Sequence, residues 1–187
     1  GLGDVYKRQI PCFVGSSKNP SAVGTLVCCH ADNPPRYRAL AVRRKQTLLK
    51  LHSLNTQPAC VFLAEMFAVL SRHNTVIDLV TTSETSIALI LNASGATSGD
   101  ADSLTTSLLT ELSSRCRVEL ETGLDLVTLI GNDLTQASGV CKDVFTELEK
   151  HHVRMICHGA SDHTLCFLLP AASSDSAVKA LHRSLFE

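Results

Sequence analysis

The sequence predicts an α+β fold made of two copies of one βαββαβ unit, with the first copy inserted in the second. Three observations predict it. The segment Phe62–Glu84 reappears in degraded form as Val140–Asp162, a fixed offset that marks a duplicated supersecondary unit. Within it, Phe62, Leu63, Met66, Phe67 and Leu70 map without gaps onto Val140, Cys141, Val144, Phe145 and Leu148, one helical face in both copies. The second copy reads βαββα and wants a closing strand, while a strand that belongs to neither copy stands upstream at Arg36–Arg44. An open sheet position leaves backbone groups unpaired and a core uncovered, so the upstream strand is expected to complete the second copy.

The elements follow in chain order. Pro11–Val14 and Thr25–Cys28 are strand-like and flank the loop Gly15–Pro20, a piece that fits neither repeat. Arg36–Arg44 is a short strand, and Gln46–Ser53 is a second one, where Leu49 and Leu51 alternate with Lys50 and His52. The first unit continues with a helix over Phe62–His73 and strands at Val76–Thr82 and Ser86–Leu91. The loop Asn92–Asp102, rich in Gly, Ser and Asp, leads to a helix over Ser103–Arg115 with Leu104, Leu108 and Leu112 inward, and Arg117–Glu121 closes the unit. The second unit reads strand Leu124–Gly131, helix Gly139–His151, strands Val153–His158 and Thr164–Leu169, and helix Asp175–Phe186.

Composition removes several functional classes. The 187 residues are 44% hydrophobic, enough for one or two compact cores, and the longest apolar runs are strand-sized, so no membrane span is expected. A net charge of -1, no Trp and two Tyr argue against a nucleic-acid surface, which needs a basic stripe and stacking platforms. The eight Cys include no CxxC pair and read as reduced core residues of a cytoplasmic chain. Cys157, His158, Asp162 and His163 could suggest a nucleophile and base, but adjacent strand residues point to opposite faces. His151 and His152 read as positive charge at a helix C-terminus, not as metal ligands. Gly1-Leu2-Gly3 lacks the third glycine and the preceding strand of a nucleotide fingerprint.

Specific segments carry a resemblance. Ile10-Pro11-Cys12-Phe13-Val14-Gly15-Ser16-Ser17, Gly24-Thr25-Leu26-Val27, Gln46-Thr47-Leu48-Leu49, Leu51-His52-Ser53-Leu54-Asn55, Phe62-Leu63-Ala64-Glu65, Asp78-Leu79-Val80-Thr81-Thr82-Ser83-Glu84, Leu129-Ile130-Gly131-Asn132-Asp133-Leu134 and Arg154-Met155-Ile156-Cys157 resemble the lysine-sensitive aspartate kinases. The resemblance covers roughly residues 10–187. It implies that 10–35 is the tail of an amino-acid-kinase domain, that 46–122 is one ferredoxin-like ACT domain, and that 36–45 with 123–187 is another. Gly1–Gln9 falls outside and resembles translated sequencing-adapter sequence. No Lys-Phe-Gly-Gly opening motif of the kinase domain is present, so this segment is expected to lack catalysis and cofactors, whereas the parent enzyme would use ATP and Mg to phosphorylate aspartate. L-lysine is the implied effector, at the interface of a homodimer or tetramer, and the parent's own kinase domain is the implied partner.

The effector site can be approached from the residues as well. An amino acid needs donors for its carboxylate, and the turn Asn55–Val61 presents backbone N–H groups at the start of the Phe62 helix. Asp78 stands in an otherwise apolar strand, where a carboxylate is costly unless it meets a cation. That cation could be a ligand ammonium or an Arg of the same chain. Glu84 offers a second acidic group for a dibasic ligand, and Ile156 replaces Asp78 in the second copy, so the first copy is the expected site. The resemblance extends the contacts to Thr56, Ala59, Phe62, Leu63, Val76, Ile77, Thr82 and Ser83. The family's Met-Leu-His-Ser-x-Gly turn is here Thr56-Gln57-Pro58-Ala59-Cys60-Val61; the Gly is lost and Pro58 removes a donor, which changes the loop's shape. Two further readings are a structural dimerisation module with an altered effector site and an enzyme acting through Cys and His.

Overall fold

The computed structural model describes residues 11–28, 34–55, 57–91 and 105–187. The chain divides into two compact units between Pro35 and Arg36. The first contains the antiparallel hairpin β1 (Cys12–Val14) and β2 (Thr25–Val27), with Cys12 opposite Val27. Phe13 lies across Gly24, where a Cβ would stand 2.3 Å from the ring, so no larger residue fits without moving it.

The second unit is built on one six-stranded sheet. Its elements are β3 (Tyr37–Ser53), α1 (Ala59–Arg72), β4 (Ile77–Thr82), β5 (Ser86–Leu91), α2 (Thr106–Ser113), β6 (Cys116–Gly131), α3 (Val140–Glu147), β7 (Met155–His158), β8 (Thr164–Pro170) and α4 (Ala171–Phe186). The strand order is β4-β5-β3-β6-β8-β7. Two pairs of strands that the sequence separates are fused: Arg36–Arg44 with Gln46–Ser53 in β3, and Arg117–Glu121 with Leu124–Gly131 in β6. The two copies of the repeat therefore share one sheet. Tyr37–Arg43 pairs with Leu126–Gly131, whereas Thr47–His52 pairs with β5. The upstream strand thus closes the second copy, as the missing sheet position requires, and each long strand serves both copies.

The expected breaks are bends within continuous strands. Register shifts interrupt β3 between Arg43 and Leu48, Lys45 takes φ +57°, and Gly123 on the neighbouring strand takes φ +72°. A left-handed residue such as Lys45 costs about 1 kcal/mol and needs something to hold it. Asp125 does so. Its side chain, 2% exposed, accepts from Lys45 N (3.2 Å), Arg44 Nη1 (3.2 Å) and Ser174 Oγ (2.6 Å), and Arg44 Nη2 reaches on to Asp175 (2.7 Å). Gln46 Nε2 adds a bond to Arg44 O at 2.9 Å. The α4 helix begins at Ala171, directly after Pro170, earlier than its apolar periodicity indicates, and this early start carries Ser174 to the corner.

The bend sorts the side chains into three cores. Phe62, Met66 and Leu70 of α1 pack with Leu49, Leu51, Leu89, Leu108 and Leu112. Their repeat counterparts Val140, Val144 and Leu148 pack with Val127, Leu129, Phe167 and Leu181. Because side chains alternate along a strand, Leu48, Ile90, Leu124, Leu126 and Leu168 fall on the helix-free faces, where both copies contribute to a shared cluster. Gly131 completes the second copy's close packing: a Cβ there would lie 2.2 Å from Arg36 O. In the first copy, α1 and α2 are tied by Glu111, which meets His73, Arg72 and Arg115; the His73 hydrogen bond, then Arg72, holds its carboxyl below the usual range.

The reading of the cysteines as core residues holds for Cys116 and Cys166 and fails for Cys12, Cys60 and Cys141, which are exposed. Cys141 takes the repeat position of Leu63 at the rim of the helical face. Burial pushes the Cys116 thiol up to about 11. Helix α3 stops at Glu147, so His151 and His152 lie beyond its last turn.

Removing the corner acceptor has a defined cost. Asp125→Ala leaves three donors without their carboxylate, and urea denaturation is expected to show a loss of about 3 kcal/mol. A loss within 0.5 kcal/mol, the rough size of an ordinary surface change, contradicts a structural role for the corner.

Candidate functional site

Pro58 is the N-cap of helix α1, where its φ of -56° is accommodated and its missing N–H would have gone unused. No side chain caps the helix; Val61 N and Phe62 N both turn back to Pro58 O, at 3.0 and 3.3 Å. Of the expected site residues, Thr56 lies outside the described residues. Ala59 is the first residue of α1 and is half-buried. Phe62 is buried in the first core and Leu63 packs against it, so their side chains serve the core.

The strand residues fall at two levels. Ile77 pairs with Leu91, which also faces Thr47, whereas Thr82 pairs with Ile87, which faces Leu51. The turn after β4 is closed by Ser83 N to Ser86 O (2.8 Å) and by the two hydroxyls of Ser83 and Ser86 (2.6 Å), and Ser53 N reaches Thr85 O at 2.8 Å. Since Ser53 leads into α1, the helix N-terminus lies toward the same end of the sheet as Thr82, Ser83 and Glu84. Val76, Ile77 and Asp78 lie at the other end. The four strand steps from Asp78 to Thr82, at about 3.3 Å each, already span about 13 Å, and Glu84 lies beyond them in the turn. A single lysine cannot reach both acids, or Asp78 and the helix N-terminus, within one chain.

Asp78 occupies a β-bulge, since the register shifts between Ile77 and Leu79. Its carboxylate is 19% exposed and accepts a close, charge-assisted hydrogen bond from Arg43 Nη1. Of the two cations the sequence allowed for, a ligand ammonium or an Arg of the same chain, the folded chain supplies the second. The sequence carried a faint signal for this partner in the run Arg43-Arg44-Lys45, and the fold selects Arg43 of the three. Glu84, Thr82 and Ser83 are exposed. Strand β4 is the terminal strand of the sheet, and among the described residues it pairs with β5 on one side and with no strand on the other.

Cys157 stands opposite Cys166 across β7 and β8, and His163 Nδ1 meets Gly131 O at 3.2 Å. Among the described residues no group of three or more His, Cys, Asp or Glu is arranged to hold a metal ion.

Comparisons with known proteins agree with this architecture. The ACT domain profile matches residues 127–185. The chain is 58% identical over 181 residues to lysine-sensitive aspartokinase 3 of Escherichia coli, a match that covers 97% of this chain and 40% of that protein. The crystal structure of E. coli aspartokinase III with aspartate and ADP superimposes with a TM-score of 0.90 at 57% identity, covering all of this chain and 42% of the other. The complex of the same enzyme with lysine and aspartate gives 0.84 at 56% identity, covering all of this chain and 41% of the other. The chain thus spans about two-fifths of the length of the E. coli enzyme. With two βαββαβ copies sharing one sheet, an ACT profile on the second, and a match running through nearly every residue, this chain belongs to the aspartokinase family and corresponds to its ACT-domain region.

Proposed function

We propose that this segment is the allosteric part of an aspartokinase, binding L-lysine at a site shared by two copies of the first ACT domain. The observation that carries the reading is the split of the acidic and amide groups along β4. The helix N-terminus suits a carboxylate and Asp78 suits an ammonium, yet they sit at opposite ends of an edge strand. Antiparallel association of two such edges across a two-fold axis brings Asp78 of one copy to the helix N-terminus and Glu84 of the other, and a two-fold interface does this twice. The E. coli relative crystallised with lysine supports the choice of ligand.

The domain limits under this reading are 46–122 for the first ACT domain, 36–45 with 123–187 for the second, and 10–35 for the end of the kinase domain. The parent protein transfers phosphate from ATP to aspartate with Mg in the portion that this chain does not span, and acts in the cytoplasm. A second reading, a structural dimerisation module with an altered effector site, draws on Pro58 in the turn and on the existing Arg43–Asp78 pair.

Three measurements test these readings. Ligand that binds only the folded form raises the melting midpoint by mass action, so lysine at a hundredfold excess over its Kd should raise it by about 5 to 10 °C, with threonine and methionine inert. No shift with any of the three favours the structural module. Asp78→Ala is expected to weaken lysine about 10- to 150-fold by calorimetry. Because Asp78 is paired with Arg43, the same change should lower stability by up to about 1 kcal/mol, where an unpaired carboxylate would have made it neutral or stabilising. Sedimentation at tens of micromolar should find a dimer; a monomer with and without lysine eliminates the shared site.

A further inference from the structure

The Arg43–Asp78 pair joins two parts of the fold that have different duties. Asp78 stands in the edge-strand bulge of the first ACT domain, whereas Arg43 lies in the half of β3 that closes the second copy's sheet, opposite Leu126. The neighbouring Arg44 is fixed by Asp125 and Asp175, so the backbone that carries Arg43 is held in place. Arg43 itself is 52% exposed, and among the described residues Asp78 is the carboxylate it meets. Its guanidinium makes to Asp78 the kind of charge-assisted hydrogen bond that a ligand ammonium would make.

We infer that Arg43 is a built-in competitor of the effector: it occupies Asp78 in the ligand-free chain and withdraws into solvent when an ammonium group takes its place. This deepens the reading of Asp78 as the ammonium acceptor and rests on it. Two cations on one largely buried carboxylate repel each other, whereas the half-exposed guanidinium can regain water at little cost. Displacement weakens the intrinsic affinity for lysine and frees a side chain rooted in the second copy's sheet. Effector arrival at the first copy is thereby registered in the second.

The test is calorimetry of L-lysine on the 187-residue chain, comparing the unaltered protein with Arg43→Gln, and with Arg43→Met as a second variant that keeps the apolar stem. Both variants should bind lysine about 2- to 10-fold more tightly, as expected when an ion pair no longer has to be broken. Measurable binding by the variants where the unaltered chain shows none also supports the inference. A merely structural Arg43 lowers the urea midpoint and leaves lysine affinity unchanged or weaker; that result overturns the inference while leaving the effector reading intact. Absence of binding to the unaltered chain and to both folded variants overturns both.

Discussion

The structure depends on a corner. Strands β3 and β6 run through both copies of the duplicated unit, and a sheet this long must turn if the helix-free faces of its two halves are to be buried. The turn forces Lys45 and Gly123 into left-handed backbone conformations on neighbouring strands. Asp125 binds the Lys45 amide, the Arg44 guanidinium and the Ser174 hydroxyl at that point, and so attaches both long strands to α4. A buried carboxylate is costly in isolation, but three donors satisfy most of its acceptor capacity. Its value here lies in fixing one bend among those that two long, apolar strands could adopt.

The bend decides how the candidate site is wired. Arg43 stands immediately before the turn, pairs with Leu126 of the second copy, and reaches Asp78 on β4 of the first. Asp78 is therefore linked by one ion pair to Arg43, whose neighbour Arg44 is anchored at the corner. A ligand that breaks this pair alters a contact between the copies without having to deform either core, and packed cores resist small deformations.

Duplication has kept the packing of the two copies and not their polar groups. The helical face is kept in both, with Phe62, Met66 and Leu70 answered by Val140, Val144 and Leu148 at the same depth. The polar equipment is not. Ile156 stands where Asp78 stands and is exposed on the other terminal strand, β7, so the second copy presents an apolar edge where the first presents an acidic bulge. Packing is shared by the repeats, and the polar side chains at corresponding positions differ between them.

The sequence by itself determined the duplicated βαββαβ units, their helical faces, most strand positions and the exchange of Arg36–Arg44 into the second copy. These follow from periodicity and from the need to pair every sheet position, both of which are local or countable along the chain. Only the tertiary structure decided that the apparent gaps at Lys45 and at Gly123 are bends in continuous strands, because a left-handed residue reads as a turn until its neighbours show otherwise. It also decided that Asp78 meets Arg43, and that Asp78 and Glu84 lie at opposite ends of β4. Spacing in sequence does show the length of an extended strand, but which cation lies beside a carboxylate depends on how the sheet is bent, and that is settled by the burial of Leu48, Leu124 and Leu168 on its inner faces.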